Sequence, residues 1–230
     1  MENVSVVIPA RNEAKHIAKV INVVKKTKNV NEIIVINNNS SDNTKEIAEK
    51  NGAIVYDCKK VGKGNAMTLG KTVATGNIII FIDADIDNYS ENFIDKMIEP
   101  IINENYDFVK STFERSGGRV TNLVAKPLLE LTFPKLNKYS QPLSGIIAGK
   151  KSFFDKLVFE KDYGVDIGIL IDAHKLKSKI AEVNIGKIKN DSQDWKNLAD
   201  MSKQVTKAIL KRKFKKKKKE KDINKKEVTI

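Results

Sequence analysis

Four short runs of aliphatic and β-branched residues alternate with helical patterns over residues 1–85, and this alternation limits the fold more than any other feature. The runs occupy residues 4–8, 32–36, 53–56 and 77–82. Strands that alternate with helices predict an α/β fold, with an open, twisted, mostly parallel sheet flanked by helices. Ligands bind where the strands of such sheets end. We therefore expect Pro9, Asn37 and Asp83, which follow three of the runs, to face one crevice.

The rest of the chain is less regular, and it predicts a smaller region attached to this sheet. Apolar spacing predicts helices at residues 13–26, 44–51 and 65–74 in the first half, and at 91–104, 120–133, 153–157, 166–177 and 196–210 beyond it. Further strands are expected at residues 108–113 and 180–188. A length of 230 residues suits one large α/β domain.

The positive charge of the chain is concentrated near its C-terminus. Residues 211–226 contain eleven lysines and arginines against two acids, a net of +9 out of a total of +13. This segment predicts a frayed or disordered extension of the last helix. Contact with anionic lipid head groups is an alternative that the sequence leaves open, and nucleic acid is not an expected partner.

Cysteine content and hydropathy predict a cytoplasmic protein, peripheral to a membrane at most. Cys58 is the single cysteine, so the fold needs no internal disulfide. Residues 1–10 read as a strand rather than a signal peptide, and residues 78–82, the longest apolar run, are too few to span a bilayer.

The motif with the clearest chemistry is Asp83-Ala84-Asp85, which follows an entirely apolar strand. Two carboxylates at this spacing can bind one hard divalent cation, Mg²⁺ or Mn²⁺, directly or through water. Such a cation would neutralise a diphosphate leaving group. A pair of solvated loop acids is the alternative, but the position at a strand end favours a ligand site.

Three further segments have the residue types that bind anions. Residues 9–13 follow the first strand and precede a helix, although Asn12 could simply cap that helix. Lys63 lies between two glycines. This pattern is suited to binding a phosphate, but it is also typical of a surface turn. Arg119 and Thr121, after two glycines, precede a helix that begins near Asn122. An anion site and an ordinary helix start capped by Thr121 are equally consistent with this pattern.

The two histidines and the tryptophan carry no clear signal. His16 and His174 read as surface residues, and no catalytic triad or zinc site can be built from them. Trp195 is expected to pack, with stacking on a sugar ring as the alternative.

Together these motifs resemble the GT-A glycosyltransferases of family 2, a Rossmann-like fold. The resemblance is carried by residues 6–13, the polar 37–44 loop, Gly62-Lys63-Gly64 and Asp83-Ala84-Asp85. The second half, in residues 118–129, 141–145, 163–168 and 201–205, is similar to the glucosyl-3-phosphoglycerate synthase family. The resemblance spans roughly residues 4–210.

The resemblance implies glucose transfer from UDP- or GDP-glucose to 3-phosphoglycerate, with retention of the anomeric configuration. It implies a nucleotide-sugar half at residues 1–113 and an acceptor half at 114–210 of one GT-A domain, with a tail at 211–230. By the same resemblance Asp83, Asp85 and Asp166 are the catalytic residues. The nucleotide-sugar would be held by Pro9, Ala10, Arg11, Asn12, Glu13, Asn38, Lys63, Asp83, Ala84, Asp85, Leu143, Tyr163 and Asp166; the acceptor phosphate by Gly118, Arg119 and Thr121; and the metal by Asp85 and Asn190.

The chain departs from the family pattern at three of these places. Asn190 stands where the family has a histidine metal ligand, Asp166 where it has glutamate, and Asn37 where GT-A proteins usually carry aspartate. The departing diphosphate oxygen could itself take the acceptor proton, so the resemblance requires no separate base. Family members often dimerise, which leaves a homodimer open.

Other functions compete with this prediction. A polyprenyl-phosphate sugar transferase of the same fold would use Arg119 for a lipid phosphate and the basic tail for the membrane. A non-enzymatic protein could use the tail to bind nucleic acid. A nucleotidyltransferase is a weaker alternative, because the N-terminal glycine-rich phosphate loop it needs is missing.

Overall fold

A seven-stranded sheet forms the centre of the molecule, with strand order β3-β2-β1-β4-β6-β5-β7. The computed structural model describes residues 3–114, 118–189 and 194–214. Strand β6 runs antiparallel to both neighbours, and the other pairings are parallel. The predicted α/β fold with a mostly parallel sheet is confirmed. The strands are β1 Val4–Ala10, β2 Val30–Asn37, β3 Ile54–Asp57, β4 Ile78–Phe81, β5 Phe108–Glu114, β6 Ile147–Lys150 and β7 Ile180–Lys187.

Helices cover both faces of this sheet. They are α1 Ile17–Lys25, α2 Thr44–Lys50, α3 Lys63–Val73, α4 Phe93–Glu104, α5 Lys126–Thr132, α6 Lys151–Phe154, α7 Val165–Lys175 and α8 Trp195–Phe214, with a π-helical turn at Thr121–Ala125 and a 3₁₀ turn at Pro134–Leu136. Among the described residues, no helix combines the length and the apolarity that a bilayer crossing requires.

The central strands are buried on both sides, which explains their continuous apolar sequence. In β1, Val4, Val6 and Ile8 belong to the core layer that contains α1 and α4. Val7 points to the other face and joins the layer that contains α3 and α7. This packing holds the carboxyl ends of β1, β2 and β4 at one edge of the molecule.

Two local predictions about the first helix are wrong. The helix begins at Ile17 rather than at Glu13, and Asn12 does not cap it. Asn12 adopts a left-handed backbone (φ 59°), and its Oδ1 accepts a hydrogen bond from the Ser41 amide at 2.8 Å. His16 is buried rather than at the surface, with its Nδ1 2.8 Å from Asp87 Oδ1.

The helix predicted over residues 120–133 forms in two parts. Residues Thr121–Ala125 are a π-helical turn, and α5 continues from Lys126. A π turn widens a helix locally and is frequent at functional sites. Thr121 therefore lies inside the turn rather than capping it, and no side-chain cap is formed at Val120.

The last helix extends beyond its predicted end. It continues through Phe214, so residues 211–214 of the expected tail are helical. Arg212 is buried and forms ion pairs with Glu160 and Asp172, both at 2.7 Å. Residues 215–230 lie outside the described part of the chain.

Candidate active site

A cavity of about 520 Å³ opens where strands β1, β2 and β4 end. The expected crevice is therefore present with Pro9 and Asp83 in its wall, but Asn37 does not line it, and its side chain donates to Asp57 instead. The predicted site residues that line it are Pro9, Ala10, Arg11, Glu13, Asn38, Lys63, Asp83, Ala84, Asp85, Gly118, Arg119, Thr121, Leu143, Tyr163 and Asp166. Asn12 is not part of the lining. Asn190 falls outside the described residues, so its proposed role as a metal ligand stays a prediction.

Lys63 joins two of the predicted catalytic carboxylates. Its Nζ lies 2.8 Å from Asp83 Oδ1 and 3.0 Å from Asp166 Oδ2. Burial opposes the charged form of Lys63, but the charges of Asp166 and Asp83 outweigh it and raise the Lys63 pKa above its ordinary value. Lys63 therefore binds the two carboxylates, a different contact from the phosphate that the sequence suggests.

The second oxygen of Asp166 has no hydrogen-bond partner among the described residues. Asp166 Oδ1 is buried, and the side chain lines the cavity. Burial raises the pKa of Asp166, and the charge of Lys63 acts in the opposite direction. A buried carboxylate oxygen without a donor is costly, so this atom is suited to accept a hydrogen bond from a hydroxyl of a bound ligand.

Asp85 and Glu13 form an acidic pair beside Asp83. Burial, and then the charge of Asp83, raise the pKa of Asp85 to about 6. Burial, and then the charge of Asp85, raise the pKa of Glu13 to about 7. Carboxylates that repel one another in a buried place gain stability when a cation binds between them.

This donor set fits a hard divalent cation. Mg²⁺ and Mn²⁺ prefer carboxylate oxygens and usually share their coordination with substrate phosphates and water. No cluster of three or more metal-ligating side chains occurs within residues 3–114, 118–189 and 194–214. The described residues would therefore contribute only part of the coordination, from the half-buried Asp85 and from Asp83 beside it.

The loop after β1 differs from the expected anion site. Its amides are already bound by side chains of the loop after β2 and of the first residue of α2: Asn12 N donates to Ser40 Oγ, Glu13 N to Thr44 Oγ1 and Ala14 N to Asp42 Oδ2, at 2.8–3.1 Å. Those N–H groups are not free for a phosphate. The loop instead contributes the side chains of Arg11 and Glu13 to the cavity.

Asn38 lines the cavity, but its side chain is occupied by the protein. Its Nδ2 donates to the carbonyls of Cys58 and Lys60, and its Oδ1 accepts from the Gly62 amide at 2.8 Å. These three bonds use both donors and one acceptor lone pair of the amide. Asn38 therefore shapes the loop that leads to Lys63, and only one lone pair remains for a nucleotide.

Two residues that the sequence did not assign hold Asp83 in place. A Cβ built on Gly145 would overlap Lys63 Nζ and lie 2.5 Å from Asp83 Oδ1, so the glycine backbone packs directly on the ion pair. The Tyr89 hydroxyl accepts from Asp83 N at 3.1 Å and donates to Asp83 O at 3.0 Å. Gly145 is recognisable in sequence only as part of the Gln141–Gly145 motif, and no signal marks Tyr89.

The cavity wall also contains the predicted acceptor residues. Gly118 has a φ of +90°, which a side chain rarely tolerates, and Arg119 follows it before the π turn. The Arg119 guanidinium lies 4.9 Å from the centre of the Trp195 ring, which comes from the first turn of α8. Trp195 is 73% exposed, so it neither packs in the core nor lines the cavity.

Comparison with known proteins gives one consistent family. Residues 5–162 match the family model of glycosyl transferase family 2. The glucosyl-3-phosphoglycerate synthase of Petrotoga mobilis is 35% identical, over 91% of this chain and 73% of that protein. The synthase of Mycolicibacterium smegmatis is 34% identical, over 91% of this chain and 77% of that protein.

Solved structures show the same similarity. The crystal structure of glucosyl-3-phosphoglycerate synthase from Mycobacterium tuberculosis with Mn²⁺, UDP and glucosyl-3-phosphoglycerate has a TM-score of 0.88 at 35% identity, covering 92% of this chain and 80% of that chain. A complex of the same enzyme with Mn²⁺, UDP-glucose and phosphoglyceric acid has a TM-score of 0.87 at 36% identity, covering 92% and 79%.

Proposed function

Because the chain belongs to glycosyl transferase family 2 and, within it, to the glucosyl-3-phosphoglycerate synthases, we propose that it transfers glucose from UDP-glucose to 3-phosphoglycerate. One observation supports this most directly. A single cavity contains the Asp83–Asp85 carboxylates, the ion-paired Lys63 and the guanidinium of Arg119. It therefore offers a place for a metal-bound diphosphate and a place for a second anion.

The donor side of the cavity suits a nucleotide-sugar. Asp85, with Asp83 beside it, would hold Mg²⁺ or Mn²⁺, which supplies positive charge against the departing diphosphate. Asp166 Oδ1, buried and unpartnered in the described structure, would accept a hydrogen bond from a glucose hydroxyl. Leu143 and Tyr163 also line the cavity and would contact the sugar.

The acceptor side suits a phosphorylated hydroxy acid. A guanidinium binds phosphate through two parallel hydrogen bonds, and Arg119 is exposed to the cavity beside Thr121 and Gly118. We assign these three residues to the acceptor phosphate. A phosphate anchored there would leave the acceptor hydroxyl free to approach the glucose.

Neither histidine of the chain lines the cavity, so no imidazole is placed there to act as a base. His16 and His174 are absent from the lining, and His16 is bound to Asp87. Direct proton transfer from the acceptor hydroxyl to the departing diphosphate, with retention at the anomeric carbon, accords with this arrangement.

Several finer predictions accompany this proposal. UDP is the nucleotide in the M. tuberculosis complexes, whereas a GDP donor remains a prediction for this chain. Cytoplasmic location, a homodimer and contact of residues 211–226 with an anionic membrane surface likewise remain predictions. The two halves at residues 1–113 and 114–210 are proposed as the donor and acceptor parts of one GT-A domain.

The proposal is tested by assaying the purified protein with UDP-glucose or GDP-glucose, Mn²⁺ or Mg²⁺, and a set of acceptors. We expect a product with the mass of glucosyl-3-phosphoglycerate that forms only with a divalent cation. Glycerol 3-phosphate, which is bound in one M. tuberculosis complex, serves as the comparison acceptor. Transfer to a polyprenyl phosphate but not to 3-phosphoglycerate would replace the proposed acceptor, and absence of transfer to every acceptor would overturn the proposal.

A further inference from the structure

Lys110 is completely buried in strand β5, although it does not line the cavity. Lysine is almost never fully buried without a partner, because removing an ammonium group from water costs much free energy. Its Nζ donates a hydrogen bond to the backbone carbonyl of Ser144 at 2.8 Å. Packing alone does not account for a lysine here, since an apolar side chain of similar length would fill the space without that cost.

Ser111, the next residue of β5, contacts Ser144 as well. Its hydroxyl lies 2.7 Å from the Ser144 hydroxyl, and its amide donates to the Ile146 carbonyl at 3.1 Å. The Ser144 hydroxyl also accepts from the Ile146 amide at 3.1 Å. Ser144 is therefore fixed through both its carbonyl and its side chain.

The loop formed by Leu143, Ser144 and Gly145, the 143–145 loop, is part of the cavity wall. Gly145 packs on the Lys63–Asp83 ion pair so closely that no Cβ fits between them. A small outward movement of this loop would therefore open space beside Lys63 and Asp83. Such a movement would also displace Leu143, which is assigned here to the donor sugar.

We propose that Lys110 is a positioning residue, which holds the 143–145 loop against the Lys63–Asp83 ion pair through its bond to the Ser144 carbonyl. The consequence for glucose transfer rests on the proposed function, whereas the consequence for the loop does not. Burial lowers the pKa of Lys110 to about 8, and the charge of Asp166 opposes that change. The hydrogen bond to Ser144 is available in either protonation state, because a neutral amine still donates.

The test compares Lys110→Met with a matched control, Lys71→Met. Lys71 is a half-buried lysine that also donates to backbone carbonyls, those of Phe154 and Leu157, but it lies outside the cavity lining. In Lys110→Met we expect hydrogen exchange of the loop amides to become about tenfold faster. We also expect kcat to fall about 10- to 100-fold, because the loop no longer fixes the ion pair. The KM for 3-phosphoglycerate should change little, and the control should match the wild-type protein in all three measurements.

A second variant, Ser111→Ala, keeps the proposal testable if Lys110→Met does not fold. It deletes only the hydroxyl contact to Ser144, so we expect faster loop exchange and a lower kcat, both by smaller factors than in Lys110→Met. Loop exchange and kcat within twofold of wild type in well-folded Lys110→Met, or in Ser111→Ala if Lys110→Met does not fold, would overturn the proposal. If the wild-type protein transfers no glucose, the proposed function fails, and the exchange measurement still decides whether Lys110 holds the loop.

Discussion

At the residue scale, some charged side chains of the site form ion pairs within the protein, whereas other carboxylates of the site do not and can bind ligand groups. Lys63, Asp83 and one oxygen of Asp166 satisfy each other. Asp166 Oδ1 is buried without a hydrogen-bond partner among the described residues, and the half-buried Asp85 and Glu13 have raised pKa values because of desolvation and neighbouring carboxylates. From this division we expect a cation to bind near Asp85 and a ligand hydroxyl to bind near Asp166.

Replacing Asp85 with asparagine should remove the metal-dependent part of the activity. The substitution keeps the shape but deletes the charge that a divalent cation needs, so we expect kcat to fall about 100-fold or more. Stabilisation by UDP with Mn²⁺, measured as a Tm shift, should shrink to the value seen with UDP alone. Asp155→Asn, which affects only an exposed pair with Lys151, is the control. An Asp85→Asn enzyme with full Mn²⁺ dependence would contradict the assignment.

The buried charge of Lys110 should make stability depend on pH in a defined direction. The folded protein releases this proton near pH 8, whereas the unfolded chain keeps it up to about 10.5. Between those values the unfolded state binds more protons, so the free energy of unfolding rises with pH, by about 1 kcal/mol per pH unit at most.

The measurement is the urea midpoint of wild type minus that of Lys110→Met, between pH 7 and 9.5. Asp166, Lys63, Glu182 and Asp83, which face Lys110, are present in both proteins. The difference should increase with pH. A difference that stays constant or decreases would show that the Lys110 pKa is not lowered.

At the element scale, loops rather than helices and strands decide the shape of the cavity. Asn38 fixes the loop before α3, the loop after β2 occupies the amides of the loop after β1, and the 143–145 loop closes on Lys63. The regular elements provide the edge at which these loops meet.

Substituting alanine for Gly145 should disrupt catalysis more than stability. The added methyl group would force Lys63 and Asp83 apart, and we expect kcat to fall about 100-fold. Gly186→Ala is an informative control, because Gly186 has a φ of +91° but open space around its Cβ position. That variant should lose about 1 kcal/mol of stability with its activity retained. Unchanged activity in Gly145→Ala would show that the loop tolerates the displacement.

The start of α8 should influence acceptor binding through Trp195. An exposed cation–π contact contributes about 0.5–1 kcal/mol, so Trp195→Ala should raise the KM for 3-phosphoglycerate about two- to fivefold, with kcat nearly unchanged. Trp195→Phe should retain most of the wild-type affinity. Leu131→Ala, at another exposed apolar residue, is the control.

Trp195 also provides a direct signal, because it is the single tryptophan of the chain. Titration with 3-phosphoglycerate should change the intrinsic fluorescence of wild type as Arg119 moves toward the phosphate, and this change should be lost in Arg119→Met. If the fluorescence does not respond to 3-phosphoglycerate, Trp195 has no part in acceptor binding.

At the scale of the whole molecule, the last helix is an integral part of the fold. Arg212 of α8 bridges Glu160 and Asp172, and its guanidinium lies over Gly168 of α7, where a Cβ would come within 2.8 Å. Other residues of α8, Leu198, Met201 and Gln204, line the cavity. Attachment of α8 to α7 therefore completes both the core and the site.

Removing this attachment should destabilise the protein. Breaking a largely buried ion pair leaves its partners uncompensated, so Arg212→Met should lower the free energy of unfolding by about 2–4 kcal/mol. Lys211→Met is the matched control, since exposed Lys211 contacts the same Glu160 and should cost less than about 1 kcal/mol. Chemical denaturation of both variants measures the difference. Equal stabilities would mean that α8 is held by its apolar contacts alone.

The alternation of strands and helices, the polar residues at the strand ends and a pair of carboxylates suited to a divalent cation, Asp83 and Asp85, were all predictable from the sequence. These are local properties, because apolar periodicity and turn chemistry depend on neighbouring residues. The resemblance of the second-half motifs added the prediction that Arg119 and its neighbours bind the acceptor phosphate.

Which polar and charged side chains are already paired within the protein, and which remain available to a ligand, can be read only from the tertiary structure. It shows that Lys63 is paired with Asp83 and Asp166 and that Asn38 is bound within its loop. It also shows that Lys110 donates to the Ser144 carbonyl and that Gly145 packs on the Lys63–Asp83 ion pair. The physical reason is that hydrogen-bond partners and burial depend on contacts between segments up to 103 residues apart, as for Lys63 and Asp166. No local pattern encodes those contacts, whereas the packing of helices on both faces of the sheet fixes them.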